Sequence, residues 1–96
     1  MRIIAKFLKY KDGSFCRVLR GFQSPENQIY VEFPDGHCEH ILRADTYPGS
    51  YVKIRKTGEI IKYLGIEWEN PQADSACYRV EFADKTIGFF QAIELV

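Results

Sequence analysis

Hydrophobic and polar residues alternate along several short stretches of the chain, a pattern typical of strands with one buried face. In residues 29–33, the apolar side chains of Ile29, Val31 and Phe33 fall on one face of a predicted strand. Residues 76–82 alternate in the same way, and the side chains predicted to point inward there are Tyr78, Val80 and Phe82.

Turn-forming residues separate these stretches. The sequences KDG at 11–13 and KTG at 56–58 predict hairpin turns, and PDG at 34–36 and DK at 84–85 predict turns between later strands. Residues 43–46 suit a single helical turn, but no stretch keeps the 3.6-residue period of a long helix. The pattern therefore predicts an all-β chain with one or two single-turn helices.

The chain also repeats itself. VEFPD at 31–35 returns as VEFAD at 80–84, an offset of 49 residues. Two further blocks match in the same order, namely 11–19 with 56–64 at an offset of 45, and 40–47 with 89–96 at an offset of 49. Such self-similarity indicates one small module used twice. The predicted units are residues 1–47 and 48–96, with four additional residues of the second unit inside 67–75.

The size of the units predicts how they associate. Each has fewer than 50 residues, which is close to the lower limit for an independent hydrophobic core. We therefore expect the two units to pack closely against each other or against a partner. Almost no linker separates them at Tyr47-Pro48, so a rigid junction with a groove between the units is expected.

The order of short strands and turns resembles that of SH3-like small barrels of the Tudor, Agenet and KOW group. Residues 30–39 are similar to a Tudor domain's third strand, turn and fourth strand. Residues 78–84 and the ending at 93–96 resemble tandem Tudor-like modules of bacterial helicase-type ATPases. The resemblance implies an all-β fold of two tandem SH3-like barrels; an interleaved single barrel and a domain-swapped dimer are the alternatives.

In Tudor domains an aromatic cage holds methylated lysine or arginine by cation–π attraction. The resemblance places Tyr10 and Phe33 at aromatic positions of such a cage and His37 near a polar one. The family's remaining aromatic positions are occupied here by Ser14, Cys16 and Gly36. In the second unit, Arg55 stands in the place of Tyr10, so the resemblance implies no complete cage in either unit.

Composition narrows the functional classes. Thirteen basic and thirteen acidic residues give a net charge of zero, so there is no general attraction to nucleic acid or anionic membranes. Three cysteines without a C-x-x-C pair indicate a reducing compartment. The N-terminal sequence lacks signal-peptide features, and no apolar run approaches the ~18 residues of a membrane span. A cytoplasmic location without membrane association is expected.

The sequence HCEH at 37–40 is the strongest candidate for metal or nucleophile chemistry. Cys38 and His40 would share a strand face, and Cys16 on a neighbouring strand could join them, but zinc needs about four ligands. A nucleophilic pair of Cys16 and His40 would need an activated thiolate and an orienting group that the sequence does not supply. We therefore predict a buried cysteine with surface histidines, no metal, no cofactor and no enzymatic activity.

Two sets of residues remain as binding candidates. Aromatic residues at exposed positions and at the junction are candidate anchors for a protein or peptide partner, namely Tyr10, Tyr47, Tyr51 and Trp68. Basic residues interleaved with aromatic ones in the first hairpin are candidate nucleic-acid contacts, namely Arg2, Lys6, Lys9, Lys11, Arg17 and Arg20. The favoured hypothesis is a non-catalytic binding module or small accessory subunit for protein–protein interaction. The alternative is a nucleic-acid-binding module associated with transcription or helicase machinery.

Overall fold

The computed structural model describes residues 4–73 and 75–96, and these form one antiparallel sheet of eight strands. The strands are β1 (Phe7–Lys9), β2 (Phe15–Val18), β3 (Gln28–Glu32), β4 (Cys38–Leu42), β5 (Ser50–Lys53), β6 (Ile60–Asn70), β7 (Ser75–Glu81) and β8 (Ile87–Gln91). Three 3₁₀ turns lie at Arg43–Asp45, Pro71–Ala73 and Ala92–Glu94. The prediction of an all-β fold is confirmed. Within these residues there is no helix of the length and apolarity that crossing a membrane would require.

The strand order in the sheet is β4-β3-β2-β1-β5-β6-β7-β8. Strands β1–β4 form the N-terminal half as a meander, and β5–β8 form the C-terminal half as a second meander. Each half has its own cluster of buried side chains. The N-terminal core consists of Leu8, Cys16, Ile29, Val31, Phe33 and Ile41, and the C-terminal core of Val52, Ile54, Ile61, Ala76, Tyr78, Val80, Ala92 and Leu95.

The same backbone hydrogen bonds occur in both halves. The amide of Phe33 donates to the carbonyl of His37 over 2.9 Å, and 49 residues later the amide of Phe82 donates to the carbonyl of Thr86 over 2.9 Å. After each meander a 3₁₀ turn leads the chain back to the half's first strand. There Thr46 forms a β-bridge with Tyr10 in the N-terminal half, and Leu95 forms one with Ile54 in the C-terminal half.

The hairpin turn that follows the first strand is one residue longer in the C-terminal half. The amide of Gly13 donates to the carbonyl of Tyr10, whereas the amide of Gly58 donates to the carbonyl of Ile54. Ile54 is therefore the counterpart of Tyr10, and the sequence alignment that placed Arg55 there was wrong by one residue. Arg55 instead donates from its guanidinium to the carbonyls of Ile93 and Leu95, over 3.2 and 3.1 Å.

The β6–β7 hairpin has the longest strand of the sheet. Residues 69–75 are polar, yet β6 continues through Asn70 and a 3₁₀ turn follows immediately at Pro71–Ala73. The register against β7 shifts between Tyr63 and Gly65 and again farther along the strand. Gly65 has a φ of +140°, a conformation that favours glycine, and it lies at the first of these register shifts.

A narrow seam joins the two halves. Strands β1 and β5 share a single residue pair, Phe7 with Tyr51. Beside it, the amide of Ala5 donates to the carbonyl of Val96 over 2.8 Å, and the side chain of Ile4 packs against the C-terminal core. The start of the described chain thus packs on the far half, and a concave surface forms where the halves meet.

Candidate functional site

The concave surface at the seam is a cleft of about 370 Å³, here called the junction cleft. Three tyrosines, Tyr51, Tyr63 and Tyr78, line it together with apolar side chains, and Lys6 and Arg20 also border it. This volume is within the range of sites that bind a small molecule or a few side chains of a peptide. Mostly apolar walls with a few polar groups are typical of such sites.

Pairing between strands positions these tyrosines at the junction cleft. Tyr51 lies on β5 opposite Phe7, so the seam itself positions it. Tyr63 lies on β6 just before the register shift at Gly65. Its ring centre lies 5.7 Å from that of Tyr78, with an angle of 54° between the ring planes. This tilted arrangement is a favourable one for two aromatic rings.

Burial favours the neutral form of two of these tyrosines. Burial raises the pKa of Tyr63, and the neighbouring Tyr78 raises it further. Burial also raises the pKa of Tyr78, and Glu69 raises it further. Both phenols therefore remain neutral at physiological pH. A neutral phenol can donate one hydrogen bond and accept others, so the cleft offers a ligand apolar contact and hydroxyl groups at the same place.

The charge of the junction cleft has one sign. Lys6 and Arg20 are exposed at its border, and no acidic residue is among the described residues that line it. In a chain of zero net charge this is a local excess of positive charge. Such an excess attracts acidic groups and repels basic ones.

The four predicted partner anchors do not converge on one site. Only Tyr51 lines the junction cleft, where its ring also meets that of Phe15 at 5.1 Å between centres. Tyr10 packs its ring edge against Phe33 in the N-terminal half. Tyr47 is 50% exposed and lies under the ammonium of Lys9, and Trp68 is 46% exposed on β6. Of the four predicted anchors, Tyr51 is therefore the one positioned to contact a partner in the junction cleft.

The predicted basic surface divides in the structure. Lys6 and Arg20 border the junction cleft, whereas the ammonium of Lys9 lies over the ring of Tyr47 at 5.2 Å. Two further residues are partly neutralised by carboxylates: Lys11 lies 3.5 Å from Asp45, and Arg17 lies 3.4 Å from Glu32. Arg2 lies outside the described residues.

Two tyrosines near the seam are expected to respond differently to truncation. Tyr51→Ala removes a half-buried ring that packs on Phe15, and we expect it to lower the free energy of unfolding by about 2 kcal/mol. Tyr47→Ala removes an exposed ring with one cation–π contact, and we expect a loss below about 1 kcal/mol. Urea unfolding followed by circular dichroism measures both. Equal losses would show that the seam does not depend on Tyr51.

The residues that resemble cage positions do meet, but they pack on one another. The ring of His37 stacks on Phe33 with centres 4.5 Å apart and an angle of 4° between planes, and Tyr10 meets Phe33 edge-on at 5.5 Å. Phe33 is only 8% exposed as a result. His37 also contacts the carboxylate of Asp35 through Nδ1. Phe33 therefore offers little open ring face beside Tyr10 and His37.

The contact with Asp35 shifts the pKa of His37. Its hydrogen bond to the carboxylate raises the pKa of His37 above the ordinary 6.5, and the backbone and side-chain hydrogen bonds from His37 lower the pKa of Asp35 below 3.8. The stabilisation from His37 is complete below pH 6.5 and is lost as pH rises through its raised pKa. That from Asp35 is complete above pH 3.8 and is lost as pH falls through its lowered pKa.

We therefore expect the NMR titration of the His37 ring to have its midpoint above pH 6.5. Asp35→Asn should lower that midpoint because the carboxylate is removed while the side-chain shape is kept. An unchanged midpoint in Asp35→Asn would mean that another group sets the protonation of His37. The control is Asp84→Asn, at the corresponding turn of the C-terminal half, which should leave His37 unaffected.

Cys16 and His40, the pair considered from the sequence, lie in different environments. Cys16 is fully buried in the N-terminal core, and burial raises the pKa of its thiol to about 11. His40 is exposed, and its ring meets that of Tyr30 at an angle of 43° between planes. Alternation places Tyr30 on the opposite face of β3 from the buried Ile29. No group of three His, Cys, Asp or Glu side chains within 4–73 and 75–96 could hold a metal ion.

Sequence reasoning missed the two tyrosines that complete the junction cleft. Tyr78 was predicted as a core residue, and Tyr63 was not singled out. Their meeting with Tyr51 depends on the β1–β5 pairing and on the register shift in β6, which no local pattern encodes.

Comparisons of the chain with protein-family models, curated proteins and solved structures find no match.

Proposed function

We propose that this chain is a non-catalytic binding module of two tandem SH3-like units, which holds an acidic peptide segment of a partner protein in the junction cleft. The observation that carries the proposal is the cleft itself. It combines three tyrosines with Lys6 and Arg20 at the place where the two halves meet. Tyrosine and arginine are among the residue types enriched at the energetic centres of protein interfaces.

The backbone supports the tandem SH3-like description. In each half, a four-stranded meander is followed by a 3₁₀ turn and a bridge back to the first strand. This return brings the last residues of each half against its own first strand, as closure of a small barrel requires. Val31 and Val80, the corresponding valines of the two repeated pentapeptides, are both fully buried.

Charge favours an acidic peptide as the occupant. A carboxylate of the peptide could accept hydrogen bonds from Lys6 and Arg20, and such charge-assisted bonds are among the stronger polar contacts. The apolar wall would cover one or two uncharged side chains beside it. A basic peptide would bring like charges together and would be disfavoured.

Selection from a displayed library of random peptides tests the proposal without a known partner. We expect the enriched sequences to contain aspartate or glutamate beside apolar residues. Titration of one enriched peptide into isotope-labelled protein should shift the amide resonances of Lys6, Arg20, Tyr51 and Tyr63. Enrichment of basic sequences, or shifts confined to other surfaces, would overturn the proposed site.

A second candidate function, nucleic-acid binding, is favoured by one observation on the face of β3 that points away from the N-terminal core. The rings of Phe22, Tyr30 and His40 form a row with 4.7 Å between successive centres, and Phe22 is 60% exposed. Bases of single strands stack on such rows. Binding of a single-stranded oligonucleotide at ~50 mM salt that weakens as salt rises would support this function. No binding under that condition would exclude it.

A further inference from the structure

The C-terminal half contains a second concave surface, here called the Phe82 pocket. It has a volume of about 440 Å³ and lies between the β5–β6 turn and the side chains of Phe82 and Phe90. Ile54 forms part of its apolar wall. The Phe82 pocket is separate from the junction cleft, because the two share none of their lining residues.

The N-terminal half shows what fills the corresponding position. Phe33 is the counterpart of Phe82, since both form the same backbone bonds at the same turn. Phe33 is covered by the edge of the Tyr10 ring and by the stacked ring of His37. It is buried as a consequence, with 8% of its surface exposed.

Both covering rings are absent from the C-terminal half. Ile54 stands at the position of Tyr10, and Thr86 stands at the position of His37. The hydroxyl of Thr86 is directed to the carboxylate of Asp84 over 2.6 Å, so it does not replace the stacked ring. Phe82 is accordingly only half-buried and lines an open pocket.

The rim of the Phe82 pocket is balanced in charge. Two basic and two acidic residues surround it, namely Arg55, Lys56, Glu59 and Glu94. The guanidinium of Arg55 is engaged with two backbone carbonyls, and the Glu94 carboxylate accepts the amide of Gln91 over 2.8 Å. Such a rim gives no strong preference for an anion or a cation, whereas the wall offers two phenyl rings 6.1 Å apart.

We infer that the Phe82 pocket binds a neutral aromatic side chain of a partner protein, which takes the place that Tyr10 and His37 fill in the N-terminal half. An incoming ring can meet Phe82 edge-on or stacked, as these two do with Phe33. This site would be an additional binding site, and it does not depend on the junction cleft.

The probe for this inference is p-cresol, the side-chain analogue of tyrosine, titrated into isotope-labelled protein. We expect saturable shifts at the amides of Ile54, Gly58, Phe82 and Phe90, with a dissociation constant in the millimolar range expected of a small ligand. Shifts that do not saturate or that centre elsewhere would overturn the inference. Tetramethylammonium chloride is the comparison, and tighter binding of that cation at the pocket would also overturn it.

The duplication provides a matched pair of variants. Ile54→Tyr with Thr86→His should fill the Phe82 pocket as the N-terminal half is filled, and should weaken p-cresol binding at least tenfold. Tyr10→Ile with His37→Thr should open the corresponding place and add new shifts around Phe33. Undiminished binding to the first double variant would contradict the inference.

A third variant keeps the test decisive if a double variant does not fold. Phe90→Ile introduces the residue found at the corresponding position 41 and removes one ring of the wall. It should weaken p-cresol binding several-fold, and unchanged binding would overturn the inference. Charge reversal of Lys6 and Arg20 should leave p-cresol binding as in the wild type, so failure of this site and failure of the junction cleft are distinguishable.

Discussion

Leu95→Ala is expected to lower the free energy of unfolding by about 3 kcal/mol, the largest stability effect that we expect of a single substitution in this chain. Leu95 is fully buried within the C-terminal core and bridges to Ile54, the last residue before the β5–β6 turn. Its truncation removes apolar contact and leaves a cavity that this small core can only partly refill. For a domain of this size the melting temperature should fall by at least about 10 °C.

The neighbouring Val96 supplies the control. Its side chain is 37% exposed, and its backbone bond to Lys53 does not require the valine side chain. Val96→Ala should therefore change the free energy of unfolding by less than about 1 kcal/mol. Urea unfolding by circular dichroism compares the two variants. Similar values for both would mean that the bridge of Leu95 to Ile54 does not close the C-terminal core.

The second large effect concerns binding. Lys6→Glu with Arg20→Glu should weaken an acidic peptide selected for the junction cleft by roughly two orders of magnitude, since two attractions become two repulsions. Both side chains are exposed, so the free energy of unfolding should change by less than about 0.5 kcal/mol. Fluorescence anisotropy with a labelled peptide measures the dissociation constants. The loss should diminish at high salt, because exposed charges are screened.

A change in net charge alone could weaken an acidic ligand, so the comparison needs a matched variant. Arg43→Glu with Lys56→Glu changes the net charge by the same amount, and neither residue lines the junction cleft. This control should weaken the peptide by no more than a few-fold. Equal losses in both double variants would indicate long-range attraction only, and the cleft would no longer be supported as the binding site.

Local patterns predicted most of the elements. Alternation placed Ile29, Val31 and Phe33 on one face, and all three are buried in the structure. The turn signals at 11–13, 34–36 and 56–58 lie between strands, as predicted. These features depend on neighbours in the sequence, so period and turn chemistry suffice to find them.

Features that depend on pairing between distant strands were not predictable in this way. The junction cleft requires Tyr51 to lie beside β1, and it is also lined by Tyr63 and Ile66, which flank a register shift in β6. A one-residue difference between the two hairpin turns also misled the alignment, and it concealed that Ile54 corresponds to Tyr10. The Phe82 pocket follows from that correspondence, so the sequence comparison alone could not indicate it.

The single residue pair at the seam has a consequence for how the chain opens. Because each half keeps its own buried cluster, loss of the Phe7–Tyr51 pair, together with the Ala5–Val96 hydrogen bond and the Ile4 contact beside it, would leave most of each core buried. Hydrogen exchange should then divide the protected amides into two groups with separate opening free energies, one in each meander. Leu95→Ala would accelerate exchange chiefly in β5–β8. In native conditions the protein would behave as two cooperative units that share one sheet.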